Sequence, residues 1–111
     1  MIEKTVLDYL QYKLGAIPVR MEKEEGLPEK FVIIEKTGSG EENQIRTATF
    51  AIQSYAGSMY DAAALNNQII GFMEDLPAER EVFACELNSD YNFTDTTFRK
   101  YRYQAVFDIV Y

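Results

Sequence analysis

The stretch Arg99 to Tyr111 alternates residue by residue. One parity collects Tyr101, Tyr103, Ala105, Phe107, Ile109 and Tyr111; the other carries Lys100, Arg102, Gln104, Val106, Asp108 and Val110. Side chains of an extended chain leave on opposite faces, so this pattern is a strand with an aromatic and β-branched row turned toward a core. A strand of this length is not stable alone and has to be pinned into a sheet. The rest of the chain must supply that sheet and something to cover its apolar row.

The supply begins at once. Ile2, Val6, Tyr9, Leu10 and Leu14 recur at helical spacing and Gly15 stops the pattern, which predicts an amphipathic helix over 2–14. Ile17-Pro18-Val19-Arg20-Met21 alternates, and Pro18 lacks a ladder donor, so this segment belongs at a sheet edge. Glu22 to Lys30 is an acidic loop. Phe31 to Glu35 reads as a central strand. Thr37-Gly38-Ser39-Gly40 reads as a turn, and Asn43 to Tyr55 as a long strand with threonines on its outer row. The two strands form a hairpin whose tip is expected at Gly38 to Asn43, long and polar enough to project.

Ser58 and Asp61 are placed to cap a second helix over 58–76. Its stripe is Ala62, Leu65, Ile69, Phe72 and Leu76, with Asn66, Asn67 and Gln68 facing elsewhere and Pro77 ending it. Phe83, Cys85 and Leu87 form the inward row of a further strand over 81–87, and Asn88 to Thr97 reads as a turn. The order α-β-β-β-α-β-β implies one α+β domain. Its mostly antiparallel or mixed sheet has four to five strands, with two helices on one face.

Catalytic chemistry is scarce. The chain has no histidine, which removes the usual base near neutral pH and the commonest metal ligand. Asp61, Asp75, Asp90, Asp95 and Asp108 fall at caps, turns or outer-face positions, and no spacing pairs them as acid and base. Thr37-Gly38-Ser39-Gly40 is no phosphate cradle, because no Gly-Lys-Ser/Thr follows and Glu41 and Glu42 would repel an anion. Asp90, Asn92 and Asp95 lack the spacing, glycine and terminal glutamate of a calcium loop. The expectation is a non-enzyme with no catalytic, cofactor-binding or metal residues and no cofactor. The single Cys85 rules out an intramolecular disulfide and fits a reducing compartment. No segment has the length of a membrane span, and Met1-Ile2-Glu3-Lys4 lacks a signal peptide's apolar core, so a soluble, cytosol-made protein without membrane contact is expected. A net charge of −7 argues against wrapping nucleic acid.

With the elements placed, the whole chain resembles the tail terminator and head–tail joining proteins of long-tailed bacteriophages, also described as minor capsid or tail components. The resemblance lies in the N-terminal helix, the Ile17-Pro18-Val19 strand and Phe31-Val32-Ile33-Ile34-Glu35-Lys36-Thr37-Gly38. It continues through the hairpin, Gln53-Ser54-Tyr55-Ala56, the alanine-rich helix and the tyrosine-rich last strand. Family members often carry a Gly-Gly pair after the Glu-basic-Thr; here Ser39 displaces the second glycine. The resemblance implies a virion component made in the bacterial host cytoplasm. It would form a homo-oligomeric ring, often a hexamer, that caps the tail tube, ends tube growth and joins tail to head. The implied partners are the tail-tube protein and the head connector, with DNA only passing through the lumen. Two alternatives are a head-completion or connector protein at the portal and a small non-catalytic protein-binding module.

Protein contacts are the expected business of the surface. The hairpin tip (Gly38, Ser39, Gly40, Glu41, Glu42 and on to Asn43) and the loop Glu22 to Lys30 are candidates for axial contacts. Tyr91 and Phe93 are candidates for an aromatic anchor between subunits. Val106 and Val110, apolar among polar neighbours on the outer row of the last strand, mark that face as a place for a second subunit.

Overall fold

The computed structural model describes residues 1–111. In chain order the elements are α1 (Ile2–Leu14), β1 (Val19–Arg20), β2 (Phe31–Glu42), β3 (Ile45–Tyr55), α2 (Met59–Glu74), α3 (Leu76–Glu79), β4 (Ala84–Asn92) and β5 (Arg102–Val110). One mixed sheet has the strand order β1-β2-β3-β5-β4. Only the β1–β2 pair is parallel; the rest are antiparallel. The expected α+β architecture is therefore found, with a short third helix added.

β5 lies inside the sheet, between β3 and β4. Its alternation has the expected result: Ala105, Phe107 and Ile109 are fully enclosed. They share a face with Val32 and Ile34 of β2 and Ala48, Phe50 and Ile52 of β3. The helices cover that face with Ile2, Val6, Tyr9 and Leu10 from α1 and Leu65, Ile69 and Met73 from α2. Neither helix is long enough to be stable alone in water; each is held by the apolar stripe it buries. Tyr9 ties them together, its hydroxyl donating to the Phe72 carbonyl at 2.6 Å. Lys13 and Glu79 link α1 to α3 at 2.7 Å.

Four readings of the sequence need correction. Thr37 to Gly40 is not a turn: β2 runs on to Glu42, with a bulge between Lys36 and Gly38 absorbing the irregularity. The turn is Asn43-Gln44, whose φ values of 51° and 65° are those of a two-residue hairpin turn that follows the strand twist. Second, α2 ends at Glu74, and Pro77 sits in the first turn of α3, where its missing N–H costs nothing. The buried stripe takes Met73, and Phe72 is half-buried.

Third, Asn66 does not face away. It is buried, and its amide approaches the Asp90 carboxylate at 3.4 Å. Fourth, the strand before the last one starts and ends later than its alternation implies. Val82, not Phe83, enters the core, while Phe83 is 85% exposed. Leu87 is exposed too, and β4 continues through most of the expected turn, with a bulge at Asn88. The pairing with β5 overrides the turn-forming composition of Asn88 to Asn92.

Candidate functional site

The helices cover one side of the sheet only. On the other side the register builds rungs across the strands. One rung is Ile33–Gln53–Gln104–Tyr91, and the next is Glu35–Ala51–Val106–Ser89. Then follow Gly38–Thr49–Asp108–Glu86 and Gly40–Thr47–Val110–Ala84. Two of these rungs are hydrogen-bonded ladders. Gln53 Nε2 donates to Gln104 Oε1 at 2.8 Å, the Tyr55 hydroxyl donates to Gln53 Oε1 at 3.2 Å, and Gln104 donates to the Tyr91 hydroxyl. Below them Thr49 donates to Asp108 at 2.9 Å, and Asn88 donates to the other Asp108 oxygen at 3.0 Å.

Between the ladders runs a narrow apolar seam: Ile33 and Ala51, both already buried, and the half-buried Val106. Its side chains sit in fixed positions because their polar neighbours hold one another. A flat, pre-ordered surface of this kind loses little conformational entropy on docking. The expectation that Val106 and Val110 lie together on the face away from the helices is met.

The ends of the molecule differ. The shape is elongated, 45 × 25 × 24 Å. At one end the β2–β3 arm continues past the last pairing with β5, Thr47–Val110. Of the candidate tip residues only Glu41 and Glu42 lie past it; Gly38, Ser39 and Gly40 sit in rungs shared with β5, and all five are exposed. Glu41 reaches Arg46 at 3.8 Å, a loose surface pair that adds little stability.

At the other end Arg102 is clamped. Its guanidinium lies 4.3 Å from the Phe93 ring centroid, donates to the Phe93 carbonyl at 2.6 Å and to the Tyr55 hydroxyl at 3.0 Å. Tyr91 meets Phe93 edge to face at 6.0 Å. The two candidate anchor residues are thus brought together, part of their surface engaged within the chain. Nearby, a cleft of about 440 Å³ separates the Lys23–Glu29 loop from Gly57 and Arg99–Tyr101. The stacked Phe31 and Tyr55 rings, 4.5 Å apart, form its floor, and Lys23 caps the Tyr55 ring at 4.8 Å. Its cations Lys23, Arg99 and Lys100 face Glu24 and Glu29, a mixed surface suited to a protein contact more than to a single anion.

Titration is shifted in few places. Burial, then the carboxylates of Asp108 and Glu74, push the Cys85 thiol up to about 12, so it stays protonated and a poor nucleophile near neutral pH. Burial, then Glu79, raise Tyr9 to about 12. A backbone hydrogen bond and the Lys36 ammonium hold Glu3 below the usual carboxylate range. No group of three or more acidic, cysteine or histidine side chains is gathered to hold a metal ion. Asp90, Asn92 and Asp95 use their oxygens separately, on Asn66, on the Thr94 amide, and on the Thr97 and Phe98 amides. No helix is long and apolar enough to cross a membrane.

Among the exposed apolar residues, the sequence does not single out Phe98 at 72% or Ile45 at 55%, and it reads Phe83, at 85%, as inward. Phe98 stands in a polar stretch where periodicity carries no signal, and Phe83 shares its parity with Cys85. No protein-family model matches this chain, and no curated protein matches it.

Proposed function

We propose that the protein is a structural subunit of a phage tail or head–tail junction. Copies of it form a ring that caps the tail tube, ends tube growth and joins tail to head. The observation that carries this reading is the bare sheet face. A domain that packs helices on one side and leaves an apolar seam framed by locked polar ladders on the other is built to be covered by another protein. The projecting β2–β3 arm supports the same reading, since it adds surface beyond the fold at little cost to the core. The whole-chain resemblance to tail terminator and head–tail joining proteins supplies the kind of assembly.

In this reading DNA passes through the lumen without being gripped. The net charge of −7 supports that, because an acidic bore offers phosphates no counter-charges. The sheet face with Val106 meets the neighbouring subunit and the hairpin end from Gly38 to Glu42 meets the tube or the connector. The chemistry is that of assembly; no residue here acts on a substrate.

Co-sedimentation tests the reading. The purified chain is mixed with tail tubes made from the tube protein of the same genome and, separately, with filled heads. Saturable binding at tube ends supports a terminator. Binding to heads alone moves the protein to the connector, and binding to neither overturns the virion reading.

A further inference from the structure

The two ends of the β4–β5 ladder carry matching features. At the end where β5 finishes, Ile45 of β3, Val110 of β5 with the following Tyr111, and Phe83 just before β4, with Gln44, line a cleft of about 290 Å³. A cleft of this size with four apolar walls can take one aromatic side chain. The Phe83 backbone is fixed there, its N–H donating to the Val110 carbonyl at 2.8 Å. Glu42, Glu81 and Glu86 lie on or next to the lining strands, and none of them has an ion-pair partner in the chain.

At the opposite end, about 30 Å away along strands of nine residues, the turn between β4 and β5 presents Phe98-Arg99-Lys100. Phe98 is 72% exposed, and it is not on a loose loop. Asp95 accepts from the Thr97 and Phe98 amides at 3.1 and 3.3 Å. The Asp95 and Lys100 backbones exchange hydrogen bonds at 3.1 and 3.0 Å. Arg99, in the left-handed region at φ 51°, completes the turn. Neither Arg99 nor Lys100 has an ion-pair partner. An aromatic knob flanked by two free cations thus faces away from an apolar cleft flanked by free acids.

We propose that the Phe98 knob of one copy seats in the Phe83–Ile45–Tyr111 cleft of a second copy, with Arg99 and Lys100 meeting Glu42, Glu81 and Glu86. The contact is head-to-tail. Such an interface closes into a ring when the rotation between copies allows and otherwise extends into a filament. Knob and cleft are both held before contact, so little ordering is needed, and the opposite charges fix the direction. The inference rests on the reading of the chain as a self-assembling subunit, but not on its place in a phage.

Disulfide trapping tests it, in full chains with Cys85→Ser. One chain carries Thr97→Cys beside the knob and the other Arg46→Cys beside the cleft, both exposed positions that keep Phe98, Phe83, Ile45 and Tyr111 in place; thermal melts check the fold. Mixed chains are expected to cross-link about tenfold faster than either chain alone, because docking raises the effective thiol concentration. Arg99→Glu with Lys100→Glu should remove that preference, and Glu42→Lys with Glu81→Lys on the other chain should restore it. Equal rates for all pairs, faster Thr97→Cys self-pairing, or no rescue by the charge swap would overturn the contact. Tube binding by the unmodified chain is measured alongside. Tube binding without preferential mixed cross-linking sinks this contact and leaves the tail reading, whereas cross-linking without tube binding does the reverse.

Discussion

Val106 and Phe107 are adjacent in β5 and belong to opposite faces of the sheet. Phe107 is fully enclosed between the sheet and the helices, whereas Val106 is half-buried on the open face beside Ala51. Phe107→Ala should therefore cost about 3–5 kcal/mol of folding stability, the usual range for removing a core ring. Val106→Lys should cost less, about 1 kcal/mol, because it replaces a half-buried β-branched side chain in a strand without opening a cavity in the core. Urea unfolding measures both. The same Val106→Lys chain should lose association with its own copies, read by sedimentation, because a cation would stand in the apolar seam that meets the neighbouring subunit; equal loss of folding would remove the case for an interface there.

The Tyr9 hydroxyl holds α1 to α2 through the Phe72 carbonyl at 2.6 Å. Tyr9→Phe removes one of that carbonyl's two donors, leaving the Asp75 N–H at 3.1 Å, and keeps the ring packing. A loss of about 0.5–1.5 kcal/mol is expected, the net worth of one hydrogen bond whose acceptor keeps a second donor. Chemical denaturation would show it, and a neutral substitution would mean that the helices are held by apolar packing alone.

Alkaline pH should destabilise the fold in two steps. Cys85 is raised from 9.0 to about 12 and Tyr9 from 10.0 to about 12. The folded chain keeps these protons while the unfolded chain gives them up, so the stability is fully present below about pH 9. It falls as the pH rises toward 12, first through Cys85 and then through Tyr9. Tyr9→Phe with Cys85→Ser should flatten the curve of stability against pH between 9 and 12. A curve as steep as that of the unmodified chain would place the effect in other groups. In the same vein, Cys85 should react slowly with a thiol reagent at pH 8 in the folded state and quickly in urea.

The architecture was readable where periodicity is long and one-sided. α1 ends at Leu14 with Gly15 in the left-handed region at φ 64°, as its apolar stripe and glycine stop imply. The alternation of β5 identifies its buried row. Composition misleads where pairing decides. Thr37 to Gly40 and Asn88 to Asn92 look like turns but are held in strands by β3 and β5, with a bulge in each ladder taking up the mismatch. The contact surface was legible only in part. Val106 shows itself as an apolar residue on a polar row, but the cleft joining Ile45, Phe83 and Tyr111 is drawn together from three separate segments and has no linear signature.

The arm beyond the Thr47–Val110 pairing should be separable from the fold. Replacing Glu41 to Arg46 by Asn-Gly, the dipeptide that best fits a two-residue hairpin turn, removes the acidic tip and leaves the core pairs of β2 and β3. The midpoint of thermal unfolding should move by only a few degrees, within about 1 kcal/mol for a domain of this size. Tail completion should fail. Normal infectious particles from such a variant would take the arm out of the assembly role.

The length of tail tubes is the most direct measure of the central claim. Tube protein is polymerised with and without this chain, and tube lengths are read by electron microscopy. If the chain is a terminator, tubes grown to their regulated length carry a ring of it at one end and grow no further when more tube protein is added. Tubes that go on lengthening at the same rate in its presence, with no added density at either end, would contradict it.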